Sequence, residues 1–105
     1  MLPFMNINET IKNTVVQVLP NSKVILFGSR VRGDFQENSD YDILVIVKNE
    51  LSPVSKMPYR TSIRKKLLSQ NIFSDVLIQS ESEILQKQTL TGHIVKNIME
   101  EGMEI

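Results

Sequence analysis

Two pairs of residues in the first half of the chain have the types and spacing that suit phosphate and metal chemistry. Gly28 and Ser29 are followed, after ten intervening residues, by Asp40, Tyr41 and Asp42. Aspartates at positions i and i+2 of a strand point to the same face of a sheet, so Asp40 and Asp42 are predicted to share one site. Magnesium prefers such oxygen ligands and takes water and phosphate oxygens as its remaining ligands. The spacing therefore predicts a magnesium site at Asp40 and Asp42.

The Gly28–Ser29 pair is predicted to bind the phosphates of a nucleoside triphosphate. Gly28 ends an apolar run and has no side chain, so an anion can approach main-chain N–H groups at the start of a short helical turn. The Ser29 hydroxyl can donate to a phosphate oxygen, and it is also a candidate cap for the turn, which extends to Gly33. Arg30 and Arg32 are candidates for adding positive charge.

A third carboxylate, Asp75, begins the later segment SDVLIQ, which alternates like a strand. If this strand neighbours the one that follows Asp40, the Asp75 side chain reaches the same face. Three carboxylates suit two metal ions about 3.5–4 Å apart, which hold the attacking and leaving oxygens of a displacement. The alternative is that Asp75 only caps the loop before its strand.

The elements that would position these residues follow from hydrophobic periodicity. Apolar residues at helical spacing predict a first helix over residues 6–19, which Pro20 ends. The run KVILF predicts a buried strand at 23–27 that stops at Gly28. Residues 40–47, DYDILVIV, end in a continuous apolar run, which is typical of an inner strand covered on both faces.

The second half of the chain is predicted to hold three helices and a strand. After a connection that contains Pro53 and Pro58, apolar residues recur at helical spacing beside a basic face, which we interpret as solvated surface. The basic residues of this face are Arg60, Arg64, Lys65 and Lys66. The remaining predicted elements are a strand at 74–79, a helix opened by a capping box of Ser80 and Glu83, and a last helix at 91–101 capped by Gly102.

This order of elements predicts the fold class. Helix, strand, turn, strand, helix, strand, helix and helix give an α/β (α+β) fold in which helices pack on a small mixed sheet of about three or more strands. At 105 residues the chain is long enough for one core, and it is predicted to be a single domain over residues 1–105.

Composition excludes several other kinds of site and partner. The chain has no cysteine and a single histidine, His93, which excludes disulfides, thiolate nucleophiles and multi-histidine metal clusters within one chain. We interpret His93 as an exposed or packed residue rather than a catalyst. Twelve basic and twelve acidic residues give no net charge, so a nucleic-acid partner is not indicated.

Membrane association is not predicted either. The longest apolar run, Ile43–Val47, is far shorter than the roughly 18 residues of a membrane span. The N-terminal stretch MLPFMNINET has no basic segment followed by an apolar one, so it is not read as a signal peptide. A cytoplasmic location is therefore expected.

The segment FGSRVRGDFQENSDYDILV resembles the signature of the minimal nucleotidyltransferases, the MNT branch of the DNA polymerase beta-like superfamily. The strand that begins at Asp75 and the ending IVKNIMEEGMEI are also similar to that branch, so the resemblance covers most of the chain. It implies a polymerase beta-like nucleotidyltransferase fold. By this resemblance Gly28 and Ser29 hold the triphosphate, Asp40 and Asp42 hold magnesium, and Asp75 is the third carboxylate.

MNT proteins of this size are similar to antitoxins encoded beside HEPN-type toxins. The resemblance implies magnesium-dependent transfer of AMP from ATP to a hydroxyl of a helical partner protein, a tyrosine of a HEPN-type toxin. One alternative is nucleotidyl transfer to a small molecule or an RNA end, for which larger relatives carry substrate domains that this chain lacks. Another is a non-catalytic antitoxin that acts by occlusion. The nucleobase preference and assembly into an oligomer are left open.

Overall fold

The apolar runs of the sequence form a four-stranded mixed sheet with helices on both faces. The structure, a computed structural model, describes residues 6–105. The prediction that the N-terminal stretch is not a signal peptide falls partly on residues 1–5, which lie outside the described residues. In chain order the elements are α1 (Ile7–Val18), β1 (Lys23–Phe27), α2 (Ser29–Arg32), β2 (Tyr41–Val47), α3 (Pro53–Leu68), β3 (Ser74–Ser80), α4 (Glu81–Lys87), α5 (Ile94–Glu101) and β4 (Met103–Glu104).

The strands lie in the order β3-β2-β1-β4. β1 pairs with β2 and with β4 in antiparallel orientation, whereas β2 and β3 are parallel and joined through α3. Ile43 to Val47 are all buried, as the prediction of an inner strand requires. The predicted fold class, a mixed sheet with packed helices, is confirmed.

Side-chain alternation along the strands produces two apolar cores, one on each face of the sheet. On one face, Ile43 and Val45 of β2 pack with residues of α1 and α3. On the other, Leu44 and Ile46 pack with Ile84 of α4 and with Val95 and Ile98 of α5. Asp42 precedes Leu44 by two positions, so its side chain lies on this second face.

The prediction that Pro53 and Pro58 lie in a connection is wrong, because α3 begins at Pro53 and contains Pro58. Ser52 caps the helix, its side chain accepting a hydrogen bond from the Ser55 N–H at 3.1 Å. Proline is favoured at the first helical position, since its missing N–H would have no partner there. Pro58 does remove a helical hydrogen bond, and α3 continues because Ile63 and Leu67 are fully buried.

The C-terminal part differs from prediction in two details. α5 begins at Ile94 rather than residue 91, because His93 is its N-cap and its Nδ1 atom accepts a hydrogen bond from the Val95 N–H at 3.1 Å. β4 was not predicted, since two residues, Met103 and Glu104, are too few to show periodicity. The capping box of Ser80 and Glu83 is confirmed, and Gly102 is the C-cap of α5.

Within residues 6–105, none of the helices has the length and apolar character needed to cross a bilayer.

Candidate functional site

Asp42 and Asp75 are neighbours on parallel strands. The register of the β2–β3 ladder makes them direct partners, and in the β1–β2 ladder the partner of Asp42 is Phe27. Paired residues of adjacent strands point to the same face, so the two carboxylates lie side by side. The turn that follows Phe27 begins at Gly28, which places it next to Asp42 on the side away from Asp75.

Gly28 leaves room for the Asp42 carboxylate. Its φ of 77° and ψ of −155° belong to a region that residues with a side chain rarely adopt. A Cβ atom added to Gly28 would overlap Oδ2 of Asp42. The main chain of the turn is therefore in contact with the carboxylate, and only glycine permits this approach.

The N-cap of the short helix α2 is Gly28, so the prediction that Ser29 caps this turn is wrong. Ser29 is instead the first helical residue, because the main-chain N–H groups of Val31 and Arg32 both bond to the Gly28 carbonyl. Gly33 ends the helix in the left-handed conformation and donates to the Ser29 carbonyl at 2.9 Å. Ser29 lines the cleft described next.

A cleft of about 650 Å³ brings most of the predicted site residues together. Gly28 and the end of β1 form one side, and α5 contributes the apolar side chains of Ile94 and Ile98. The polar side chains that line the cleft are Ser29, Arg32, Asp42, Arg60, Asp75, Asn97 and Glu101. Arg32 is exposed and contacts Asp34 at 3.4 Å, a weak pairing that leaves it able to turn toward an anion.

Arg60 lines the cleft, although it belongs to the basic helix face that the sequence predicts to be solvated surface. It extends from α3 past the free edge of β3 and lines the cleft with Asp75. Its Nε atom is buried and has no hydrogen-bond partner among residues 6–105. A buried donor without a partner costs free energy, which a bound acceptor would recover. No sequence signal separates Arg60 from the exposed Arg64 one turn later.

Arg30 does not line the cleft. Its guanidinium donates to the Ser39 carbonyl at 3.2 and 2.9 Å and to the Glu37 carbonyl at 3.0 Å. The same group lies 4.4 Å from the ring centroids of both Phe35 and Tyr41. In this position Arg30 stabilises the loop between α2 and β2, and this loop leads into Asp40 and Asp42.

Asp40 lies at the rim, just before β2, and is exposed. It lines a different pocket, together with Phe73 and Ser74. Asp40 is nonetheless close enough to Asp42 for its negative charge to raise the pKa of that carboxyl. The structure thus places Asp42 and Asp75 inside the cleft and Asp40 beside it.

The electrostatics of the carboxylates bear on cation binding. Burial raises the pKa of Asp42, the charges of Asp75 and Asp40 raise it further, and Arg32 opposes them. A divalent cation between Asp42 and Asp75 would relieve this repulsion, and oxygen donors are the ligands that magnesium prefers. Across residues 6–105, no three acidic or histidine side chains converge on one point. The Asp42–Asp75 pair therefore fits magnesium with water or phosphate as the other ligands.

Sequence comparisons identify the family of this chain. Residues 9–105 match the model of the family "Polymerase beta, Nucleotidyltransferase". Two proteins of Methanocaldococcus jannaschii, each named a "putative protein adenylyltransferase", are similar to this chain. One is 33% identical over 79% of this chain and 77% of its own length, and the other is 34% identical over 76% and 73%.

Two crystal structures of toxin–antitoxin proteins have a similar fold. One, determined with AMP-PNP, has a TM-score of 0.56 and 21% identity, covering 92% of this chain and 71% of that chain. The other, a mutant of the MntA-HpeT pair, has a TM-score of 0.56 and 18% identity, covering 95% and 72%. Because the family model matches nearly all of the described residues, this chain belongs to the polymerase beta nucleotidyltransferase family.

Proposed function

We propose that this chain is a magnesium-dependent protein adenylyltransferase that transfers AMP from ATP to a tyrosine hydroxyl of a helical HEPN-type toxin. The observation that carries the proposal is the pairing of Asp42 with Asp75 beside the Gly28–Ser29 turn in one cleft. The names of the two archaeal relatives support transfer to a protein, and the similar fold of toxin–antitoxin structures supports a toxin as the acceptor.

In this proposal the two ends of the cleft hold different parts of ATP. The main-chain N–H groups after Gly28 and the Ser29 hydroxyl bind the terminal phosphates, and Arg32 balances their charge. Asp42 and Asp75 then lie beside the α-phosphate and hold the cation, with Asp40 adding negative charge at the rim. When bound, magnesium neutralises phosphate charge and lowers the pKa of the attacking hydroxyl.

Transfer then proceeds as a displacement at the α-phosphorus. The acceptor oxygen forms a bond to this phosphorus while the bond to the bridging oxygen of the β-phosphate breaks, and pyrophosphate leaves. The hydroxyl proton passes to the Asp75 carboxylate, which sits on the strand farther from the leaving group. Arg60 supplies guanidinium donors to the α-phosphate oxygens, whose charge redistributes during transfer.

The test is to co-express the chain with the protein encoded next to it and to weigh both proteins by intact mass spectrometry. We expect the neighbouring protein to gain the mass of one or more AMP groups, and the Asp42→Asn variant to leave its mass unchanged. Fragmentation should place the modification on tyrosine. Addition of EDTA to purified proteins should stop the transfer.

The other functional classes predict different outcomes of the same experiment. A stable complex in which the partner keeps its unmodified mass would overturn adenylyl transfer and favour an antitoxin that acts by occlusion. AMP attached only to RNA ends or to a small molecule would identify a different acceptor class.

A further inference from the structure

The in-line geometry of phosphoryl displacement determines from which side the acceptor approaches. Attacking and leaving oxygens lie on opposite sides of the phosphorus. In the proposed function the leaving pyrophosphate is held after β1, at Gly28 and Ser29. The strand order runs from β1 through β2, with Asp42, to β3, with Asp75. On this geometry the acceptor hydroxyl arrives from the β3 side of the sheet.

A second pocket lies under α3, on the face of the sheet opposite Asp42 and Asp75, and it is linked to them by Asp40, whose charge acts on Asp42. It has a volume of about 350 Å³ and is formed between the C-terminal half of α3 and the starts of β2 and β3. Asp40 forms part of its wall. This volume is at the small end of the range for ligand pockets and suits a side chain with its neighbours more than a whole nucleotide.

Apart from Asp40 and the hydroxyl groups of Thr61 and Ser74, the lining of this pocket is basic and apolar. Arg64 and Lys65 are exposed and form no ion pair with any residue between 6 and 105. Leu68 and Phe73 add apolar walls, with 51% and 55% of their surfaces exposed. Exposed apolar residues grouped with unpaired cations mark a surface that binds a partner of opposite charge.

A buried hydroxyl gives an independent indication of a ligand. Ser74 is only 8% exposed, lines the pocket, and its Oγ atom has no hydrogen-bond partner within the described part of the chain. Buried polar groups are nearly always hydrogen-bonded, so an atom of this kind points to a group supplied from outside. A backbone or hydroxyl group of a bound segment would satisfy it.

We infer that this pocket binds the acceptor segment of the partner protein, and that the segment carries aspartate or glutamate beside its acceptor tyrosine. The inference rests on the proposed function and specifies the chemistry of its acceptor. Carboxylates of the segment pair with Arg64 and Lys65, and its apolar atoms contact Leu68 and Phe73. The tyrosine side chain then extends past Asp40 and around the starts of β2 and β3, so that its hydroxyl reaches Asp75 on the opposite face.

The test uses two fluorescein-labelled peptides of equal length, with a central tyrosine flanked by glutamates in one and by lysines in the other. Fluorescence anisotropy with the full chain should show at least fivefold tighter binding of the glutamate peptide, because two exposed ion pairs each contribute a few-fold. The Arg64→Glu, Lys65→Glu double variant should lose this preference, and added salt should weaken it. Lys66→Glu is the control, since Lys66 is exposed on the same helix and does not line the pocket.

Transfer assays separate this inference from the proposed function. With the neighbouring protein as acceptor, the double variant should lower kcat/KM for transfer about tenfold while magnesium-dependent ATP affinity stays unchanged. Equal binding of the two peptides, or a double variant that keeps the preference, would overturn the inference. If the protein prefers the glutamate peptide but transfers no AMP, the inferred docking surface stands and the proposed function is wrong.

Discussion

Gly28 and Asp42 are in such close contact that no side chain fits between the turn after β1 and the carboxylate on β2. This contact joins the proposed phosphate-binding turn to the proposed metal ligand. Both residues also lie in the same cleft. A substitution at Gly28 is therefore expected to affect both parts of the site.

Gly28→Ala should reduce both stability and ATP affinity, because the added methyl group displaces the Asp42 side chain and the φ of 77° disfavours alanine. The matched control is Gly33→Ala, which has a φ of 90° and no atom within 4 Å of the added Cβ. Backbone strain alone costs about 1–3 kcal/mol in either variant. Urea unfolding and calorimetric ATP titration should show a larger stability loss and a loss of binding only for Gly28→Ala. Equal effects of the two substitutions would contradict the contact.

Asp42→Asn should stabilise the metal-free protein at neutral pH. The raised pKa of Asp42, due to burial and then to Asp75 and Asp40, means that its ionised form is disfavoured in the folded state. The stability that protonated Asp42 contributes is present below the ordinary pKa of 3.8. It is lost as the pH rises through the higher pKa of the folded state.

Thermal unfolding in EDTA should therefore show a higher Tm for Asp42→Asn at pH 7, by no more than about 4 °C because solvent screens part of the repulsion, and no gain at pH 3. Adding magnesium and ATP should raise the Tm of the wild type and leave that of the variant unchanged. A variant that is less stable than wild type at pH 7 would contradict the prediction that the folded state disfavours ionised Asp42.

Asp75→Asn should separate binding from chemistry. Asp75 lies on the strand farther from the proposed triphosphate-binding turn, so its proposed role is toward the acceptor hydroxyl. Asp42 lies beside Asp75 and also contacts Gly28 of the turn. The substitution is nearly isosteric and Asp75 is exposed, so the fold should persist. We expect transfer to fall at least about 100-fold, whereas ATP affinity should fall less than in Asp42→Asn, because Asp42 and the Gly28–Ser29 turn still hold the cation and the phosphates. Transfer at nearly the wild-type rate would mean that Asp75 only caps the loop before β3.

Arg60→Gln should slow transfer without lowering stability. The Arg60 Nε atom has no partner within the described residues, so its removal breaks no internal hydrogen bond there. Loss of one charged hydrogen bond to a phosphate predicts a decrease of roughly 10- to 100-fold in kcat/KM. Arg60→Lys should restore part of the rate because it keeps the charge. A large drop in Tm with unchanged transfer would instead assign Arg60 a structural role.

Glu83→Gln should destabilise the protein and reduce its sensitivity to acid. Glu83 accepts hydrogen bonds from Lys56 at 3.1 and 2.9 Å and from the Ser80 N–H at 2.9 Å. Burial raises the pKa of Glu83, but the hydrogen bonds from Lys56 and Ser80 outweigh it, so the net shift is downward. Its stabilising contribution is therefore present above the ordinary pKa of 4.5 and is lost as the pH falls through the folded value.

Removing one partner of such a buried pair costs about 3 kcal/mol, which urea unfolding at pH 7 would detect. The exposed Glu100, paired with Lys96 at 2.9 Å, provides the control, and Glu100→Gln should change stability by less than about 0.5 kcal/mol. If Glu83→Gln behaves like Glu100→Gln, the Lys56–Glu83 pair does not link α3 to α4 in solution.

Several elements could be predicted from the sequence because they depend on residues close together in the chain. The strand at 23–27, the capping box of Ser80 and Glu83, and the buried run after Asp42 all follow from local periodicity and hydrogen bonding. The start of α3 at Pro53 differs from the predicted connection, because Ser52 caps the helix and burial of its apolar face outweighs the cost of Pro58.

The sequence by itself identified Gly28, Ser29 and the aspartates as site candidates, since their types and spacing are local properties. Only the tertiary structure decided that Asp42 and Asp75 share a register, that Asp40 lies at the rim, and that Arg30 is occupied by the loop carbonyls. It also decided that Arg60 reaches the cleft across the edge of β3. Strand register and the reach of a long side chain depend on how distant segments pack, and no local pattern encodes that packing.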